Sequence, residues 1–484
     1  MNKSILVMAI IAVLAIGGAL TYKTLQSSDQ TDTKQETDQP ETPEETETTT
    51  EEPDTTVSTE PEETTTEPEE TTPQEQEDPE EQGENNPDSQ PVMLNITHEY
   101  RHFGFMHPEH LEEMTDLGIY LQRPHPGPFV WGLIEKEQGS YDWSEADAEV
   151  QRSQEYQINI IATIWPFADW DQEVCNTRLS SIETKMFREI GEYRGKPCDM
   201  EVYSAFVSAV VERYDGDGVD DMPGLTMPIK YWEVSNEPSM QEDLVFFTGT
   251  PEEYHEILET TYNAVKQADP NAIVVQGGMS GLHGDSTDFW DSVLADGGAD
   301  YFDIANIHSI GQSSENLMAS EYRDYLASFE IEKPFWVTEA QYGNKMEKDQ
   351  PTGEEWAFFI TKSYVRAYSG GAEKIFYVGL EESPGVESTW VIGREGPQEM
   401  YYAFDTLVDK LDGWITVEQI EDDLLEQIED DLYLFTGEKT VYVCWGTLPD
   451  LTGTVTVTYW DGATQSIDIS SLEIKDEPVY IEAQ

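Results

Sequence analysis

Two glutamates stand where strands ought to end. YWEVSNEPSM (231–240) is an apolar run that closes on Asn236-Glu237-Pro238, and PFWVTEAQ (334–341) closes on Glu339, 102 positions after Glu237. Two carboxyl groups that face each other can divide labour. One holds a proton near neutral pH, because apolar walls and the neighbouring anion raise its pKa, while the other stays ionised and attacks. Such a pair is equipped for acid/base and nucleophilic work on a glycosidic bond. The neighbours of Glu237 fit this chemistry. The Asn236 amide can bind a sugar hydroxyl beside the reacting carbon, and Pro238 cannot continue a strand ladder and so ends it. Taken singly, each glutamate is as well explained by an ordinary strand-end carboxylate capping a helix. Taken together, they favour catalysis.

The elements that must position this pair follow a rhythm that starts near residue 97. Short apolar runs are HFGFMH (102–107), GIYLQRPH (118–125), INIIATIW (158–165), KYWEVSNE (230–237), AIVVQGG (272–278), DIANIHS (303–309), PFWVTEA (334–340) and KIFYVGL (374–380). Several are continuous, as expected for parallel strands covered on both faces. Amphipathic helical patterns lie between them, over 199–214, 251–267 and 353–370. Eight such units predict a (β/α)8 barrel over residues 92–411, with its active site at the C-terminal ends of the strands. The tips of strands four and seven would then converge across one rim. After Leu411-Asp412-Gly413 the period changes to two with no helix between, in LYLFTGEKTVYVCWG, GTVTVTYWDG and PVYIEA. This predicts a small antiparallel β domain over 412–484. QIEDDL occurs twice there, at 419–424 and 427–432, a local duplication to which no function is attached.

The start of the chain is a different material. Lys3 followed by an uncharged run from Ile5 to Leu20 reads as a signal peptide or membrane anchor, residues 1–28. Residues 29–91 are Thr, Glu, Pro and Gln with almost no large apolar side chain, and read as a disordered acidic stalk. The protein is therefore expected outside the cell or on its surface. The formal net charge is −73, of which −52 belongs to residues 92–484. That balance excludes nucleic acid as a partner and limits membrane contact to the N-terminal segment. It suits either adaptation to high salt or a well-solvated secreted surface. Export permits disulfides, and Cys175 and Cys198 could staple the segment between strand three and the next helix, although spacing leaves their pairing open. Cys444 lies in an apolar strand and reads as core. Asp215, Asp217, Asp220 and Asp221 crowd YDGDGVDDMPG (214–224). Their spacing and the missing Glu do not match a calcium loop, so a turn that stops the preceding helix is the favoured reading.

VSNEP followed by VTEA about 100 residues later resembles the clan A retaining glycoside hydrolases. In that clan Asn-Glu-Pro after strand four carries the acid/base, and a Glu after strand seven is the nucleophile. FVWGLIEKEQGSYDWSEAD (129–147) is similar to a segment of families 5, 39 and 42, and the C-terminal domain resembles the small β-sandwich that accompanies some of them. The resemblance implies Glu237 as general acid/base and Glu339 as nucleophile, with no cofactor required. It implies Asn236 on the hydroxyl next to the anomeric carbon, His308 as the active-site histidine and Arg123 as the cation that keeps the nucleophile ionised. One position departs: many members carry Tyr two residues after that His, where this chain has Ile310.

Sugar rings stack on aromatic faces, so Trp165, at the end of strand three, and Trp390, in the loop after strand eight, are candidate platforms, against a reading as core packing. The expected substrate is a β-linked polysaccharide or oligosaccharide, cleaved by double displacement. Two rivals remain at this level. A non-catalytic carbohydrate-binding or adhesion protein would bind without turnover and survive Glu339→Ala. A transglycosidase would share every residue and differ in its products with excess acceptor sugar.

Overall fold

The computed structural model describes residues 101–240, 244–310, 315–341, 353–381, 390–393, 396–420 and 431–484. The expected leader and stalk lie outside the described residues. Eight strands alternate with eight helices: β1 (Phe103–Met106), α1 (Leu111–Asp116), β2 (Leu121–Arg123), α2 (Ser144–Glu155), β3 (Asn159–Ile164), α3 (Met200–Tyr214), β4 (Tyr231–Val234), α4 (Pro251–Ala268), β5 (Ile273–Val275), α5 (Gly284–Ala295), β6 (Ala305–Ile310), α6 (Ala319–Ser328), β7 (Phe335–Gln341), α7 (Gly353–Ser369), β8 (Ala372–Val378) and α8 (Glu399–Leu411). All neighbouring strands pair in parallel, in the order β5-β4-β3-β2-β1-β8-β7-β6. Bridges Val275–Ile304 and Met279–Ile307 join β5 to β6 and close the ring. The chain therefore has the expected (β/α)8 barrel, with a further antiparallel sheet after it.

The bore of the barrel changes character along its length. Tyr231 on β4 and Trp336 on β7 meet with ring centroids 5.0 Å apart, although their strands are not neighbours, so both point inward. They belong to a buried cluster with Leu121, Ile161, Val275, Ile304 and Phe376. Alternation along a strand returns to the same face after two residues. Two residues on, the inward positions are Arg123 on β2, Thr163 on β3, Glu233 on β4, Asn306 on β6 and Thr338 on β7, each at most 1 % exposed. An oily plug thus fills one half of the bore, and a polar network fills the half nearer the strands' C-terminal ends.

Local sequence sets the connections. Thr250 and Glu253 form a reciprocal capping box at the start of α4, with Pro251 in the first turn. Asp199 caps α3 by accepting the N–H groups of Glu201 and Val202. The long segment before it is held by a Cys175–Cys198 disulfide, and Asp171 accepts the N–H groups of Cys198 and Asp199 at 2.7 and 3.1 Å. Arg194 is buried under this segment and donates to the carbonyls of Gly191, Phe187 and Val245. In the aspartate-rich turn, Asp221 accepts the N–H groups of Gly216 and Gly218, while Asp215 and Asp217 accept those of Asp217 and Val219. Those carboxylates tie up their own loop, as the turn reading expects.

After α8 come β9 (Trp414–Gln419), β10 (Asp431–Gly437), β11 (Thr440–Trp445), β12 (Thr454–Tyr459), β13 (Thr464–Asp468) and β14 (Val479–Ala483). They form one antiparallel sheet in the order β9-β10-β11-β14-β12-β13. One set of side chains, Tyr433, Phe435, Val441, Val443, Trp445 and Tyr480, joins the main core. The other, including Leu432, Cys444, Val455, Val457 and Ile481, makes a core of its own. Cys444 is buried there, as its strand pattern predicts. The seam with the barrel is polar at its edges: Arg366 pairs with Asp431 at 2.7 Å, and Lys410 with Glu482 at 2.7 Å. No described helix is long and apolar enough to cross a membrane.

Candidate active site

At the end of β4 the chain turns sharply. Ser235 and Glu237 have φ of 63° and 38°, a region costly for residues with a Cβ. Strain of this kind, of order 1–3 kcal/mol per residue, persists only where the surroundings enforce it. Here the Ser235 N–H donates to the Ile164 carbonyl at 2.9 Å, which locks the turn to β3. The turn presents Asn236 and Glu237 together, 1 % and 3 % exposed.

Glu339 is aimed by a β-bulge. Ile307 lies opposite Val337, but the next residue, His308, lies opposite Glu339, so Thr338 is an extra residue in β7. Regular alternation would send Thr338 and Glu339 to opposite faces. The bulge lets both side chains enter the bore. His308 fits because position 278 is glycine: a Cβ there would lie 2.0 Å from His308 Nε2.

These elements meet in a continuous network. Arg123 donates from Nη1 to Glu339 Oε1 at 2.8 Å, from Nε to Glu233 Oε2 at 2.8 Å and from Nη2 to Asn236 Oδ1 at 2.6 Å. Glu233 also accepts from Thr163 Oγ1 at 2.5 Å and from Asn306 Nδ2 at 2.8 Å. His308 Nδ1 lies 2.8 Å from Glu237 Oε1 and 3.7 Å from Glu339 Oε1. One carboxylate oxygen of each glutamate and a ring nitrogen of His308 all lie within 4.8 Å of one another.

Burial dominates the titration of this group. It pushes the Glu237 carboxyl up to about 7, Arg123 and His283 opposing and Glu233 assisting. It drives His308 down to about 4, with Glu339 pulling the other way and Arg123 adding to the fall. Burial also raises Glu339, against the counter-pull of His308 and Arg123. Near neutral pH His308 is therefore uncharged, and its 2.8 Å contact with Glu237 is a hydrogen bond rather than an ion pair.

The structure brings Arg123, Asn236, Glu237, His308 and Glu339 into one site. Trp390 lies beside it, in an apolar patch with Met106, Val378 and Ile310. Met106 links that patch to the site, its sulfur 3.5 Å from Arg123 Nη1. Ile310 is thus part of this apolar wall. Trp165 is placed differently from the expected platform. It is fully buried, its indole N–H donates to the Pro126 carbonyl at 2.7 Å, and its ring packs among His125, Phe167 and Phe246. No face of it is left for a sugar, and it works as a supporting wall. Four network residues are not singled out by any motif in the sequence: Thr163, Glu233, Asn306 and Thr338. Their signal is a polar residue two places after an inward apolar one, repeated on successive strands.

No family model matches the chain, and no curated protein matches it in sequence. The similarity lies in solved structures, and it is to glycoside-hydrolase barrels. A glucosidase from Croceicoccus marinus superposes with a TM-score of 0.51 at 14 % identity, covering 80 % of this chain and 96 % of that one. A family 39 β-xylosidase from Caulobacter crescentus gives 0.51 at 15 % identity, covering 79 % and 95 %. An endo-β1,6-glucanase gives 0.53 at 11 % identity, covering 79 % and 91 %. At such identities the likeness is one of fold, and the fold is that of the clan the motifs resemble.

Proposed function

We propose that this protein is a retaining glycoside hydrolase acting on β-linked glycans. The observation that carries the proposal is the approach of Glu237 and Glu339 to within 4.8 Å, oxygen to oxygen, at the C-terminal rim of the barrel. Retaining enzymes keep their carboxyl groups about 5–5.5 Å apart, whereas inverting ones leave roughly 6.5–9.5 Å for a water. In the first step a Glu339 oxygen bonds to the anomeric carbon, the glycosidic C–O bond breaks, and the leaving oxygen takes the proton of Glu237. In the second step water bonds to that carbon and gives a proton to Glu237, and the Glu339 ester bond breaks. Arg123 neutralises Glu339 before attack. It also occupies Asn236 Oδ1, which reserves the amide NH2 for a substrate hydroxyl. No cofactor enters these steps.

The proposal includes export and attachment to the cell surface through the N-terminal apolar segment. The Cys175–Cys198 disulfide supports an oxidising compartment. The test is a turnover screen on β-linked polysaccharides and aryl glycosides with Glu339→Ala as the control. Loss of the nucleophile is expected to lower kcat by on the order of 10⁴–10⁶. Turnover undiminished in Glu339→Ala, or none on any glycoside, overturns the proposal.

A further inference from the structure

The network beneath the two glutamates has a direction, and that direction says where a proton sits. Asn306 is held between two acceptors, the Glu233 carboxylate at 2.8 Å and the Gln276 carbonyl at 3.2 Å. Both contacts need its NH2, so its Oδ1 faces Thr338. That oxygen is an acceptor 2.9 Å from Thr338 Oγ1, and Glu233 Oε1 is a second acceptor at 3.4 Å, so the hydroxyl spends its single proton on that side whichever it meets. The hydroxyl is then an acceptor toward His308 Nε2, 2.9 Å away. Nε2 carries the hydrogen, and Nδ1 of the neutral ring is left with a lone pair. The opposite polarity fails. Turning the Asn306 amide would set its oxygen against both the Glu233 carboxylate and the Gln276 carbonyl.

We infer that Glu233, Asn306 and Thr338 are positioning residues that fix His308 as its Nε2–H tautomer, so that Nδ1 accepts a hydrogen bond from the protonated Glu237 carboxyl. This rests on the glycosidase reading for its catalytic meaning, but the tautomer is a property of the folded chain. The low basicity of the buried ring, driven to about 4, agrees with a neutral imidazole. The arrangement serves both steps. While Glu237 is protonated, the 2.8 Å contact to Nδ1 is a good hydrogen bond. Once the proton has gone to the leaving group, two lone pairs face each other across that distance. Glu237 is thereby pressed to take a proton back from the attacking water. The charged and titratable groups that act on Glu237 and His308 are Arg123 from β2, the buried His125 just after it, Glu233 from β4, Glu339 from β7 and His283 at the start of α5.

The test uses Thr338→Val, which keeps the shape and removes the hydroxyl, with Thr338→Ser as the conservative rescue. Nitrogen-15 spectra of the imidazole rings, assigned with His308→Ala, report which nitrogen is protonated whether or not a substrate is known. Wild type is expected to show His308 as Nε2–H from about pH 5 to 8. In Thr338→Val the ring is free to place its hydrogen on Nδ1 and donate to an ionised Glu237. The alkaline limb of kcat/KM then moves to lower pH by about one unit. Thr338→Ser restores both readings. An Nδ1–H ring in wild type overturns the inference. So does an unmoved limb in a folded Thr338→Val, or a Ser variant that behaves like the Val variant. If the Val variant does not fold, the wild-type spectrum decides alone. If no glycoside is turned over, the function proposal fails and the spectra still judge the tautomer.

Discussion

The two halves of the barrel bore are built from the same strands, two residues apart, and they follow opposite rules. In the apolar half Leu121, Ile161, Tyr231, Ile304 and Trp336 lose water and gain contact. Each buried side chain of this kind is worth about 1.5–3 kcal/mol. In the polar half the next inward residues are Arg123, Thr163, Glu233, Asn306 and Thr338. Burying ions costs several kcal/mol each and is offset only by good pairing. The first half holds the ring closed. The second keeps charged groups in fixed places where charge will move. The difference teaches that the site is tolerated by the fold rather than being part of what stabilises it.

Three changes would break or sharpen this contrast. The largest effect on stability is expected from Arg123→Met, which strands Glu233 and Glu339 in the bore without a cation. Removing one partner of a buried pair costs about 3–5 kcal/mol. Urea unfolding at pH 7 measures it, and a loss below about 1 kcal/mol would mean the two halves are not so different.

Glu237→Gln should move the other way. The folded pKa of Glu237 is raised from 4.5 to about 7, so its contribution is fully present below about pH 4.5 and is lost as pH rises through about 7. Above that range the ionised group weakens the fold by about 3 kcal/mol. Glutamine carries no charge and can still donate to His308 Nδ1. The variant should match wild type near pH 4 and be the more stable at pH 8, with little catalysis at either. Thermal melts across that range check the sign, and a difference that does not grow with pH would contradict it.

The smallest effect belongs to the apolar half. Ile161→Val removes one buried methyl group and should cost about 0.5–1.5 kcal/mol. Its kcat per folded molecule should stay unchanged, because Thr163, two residues on, keeps its place.

Much of this architecture is legible in the amino-acid sequence. The strand runs and Asn236-Glu237-Pro238 announce the ring and one carboxylate, because apolar period and proline punctuation are local signals. Glu339 is legible by its position, but the reason it faces Arg123 is not. A bulge is fixed by how β7 pairs with β6 and β8, and pairing is a long-range matter. Trp165 misleads because a strand-end aromatic looks the same whether its indole N–H meets a sugar or, as here, the Pro126 carbonyl. Glu233 is hidden in an apolar run, where its meaning depends on Arg123 from another strand. The disulfide does not follow from spacing alone, since the path from Cys175 to Cys198 is set by Asp171 and Arg194 as much as by the cysteines.

The extra residue in β7 has a consequence for how such chains diverge. Loss of the Thr338 codon alone would restore plain alternation and leave Glu339 as the inward residue two places after Trp336, so both carboxylates would stay in the bore while the hydroxyl that meets His308 and Asn306 is lost. A descendant of that kind would fold around the same oily plug and keep both acids, yet nothing from that strand would hold its imidazole to one tautomer. Length at that point is inherited information, as much as the letters themselves.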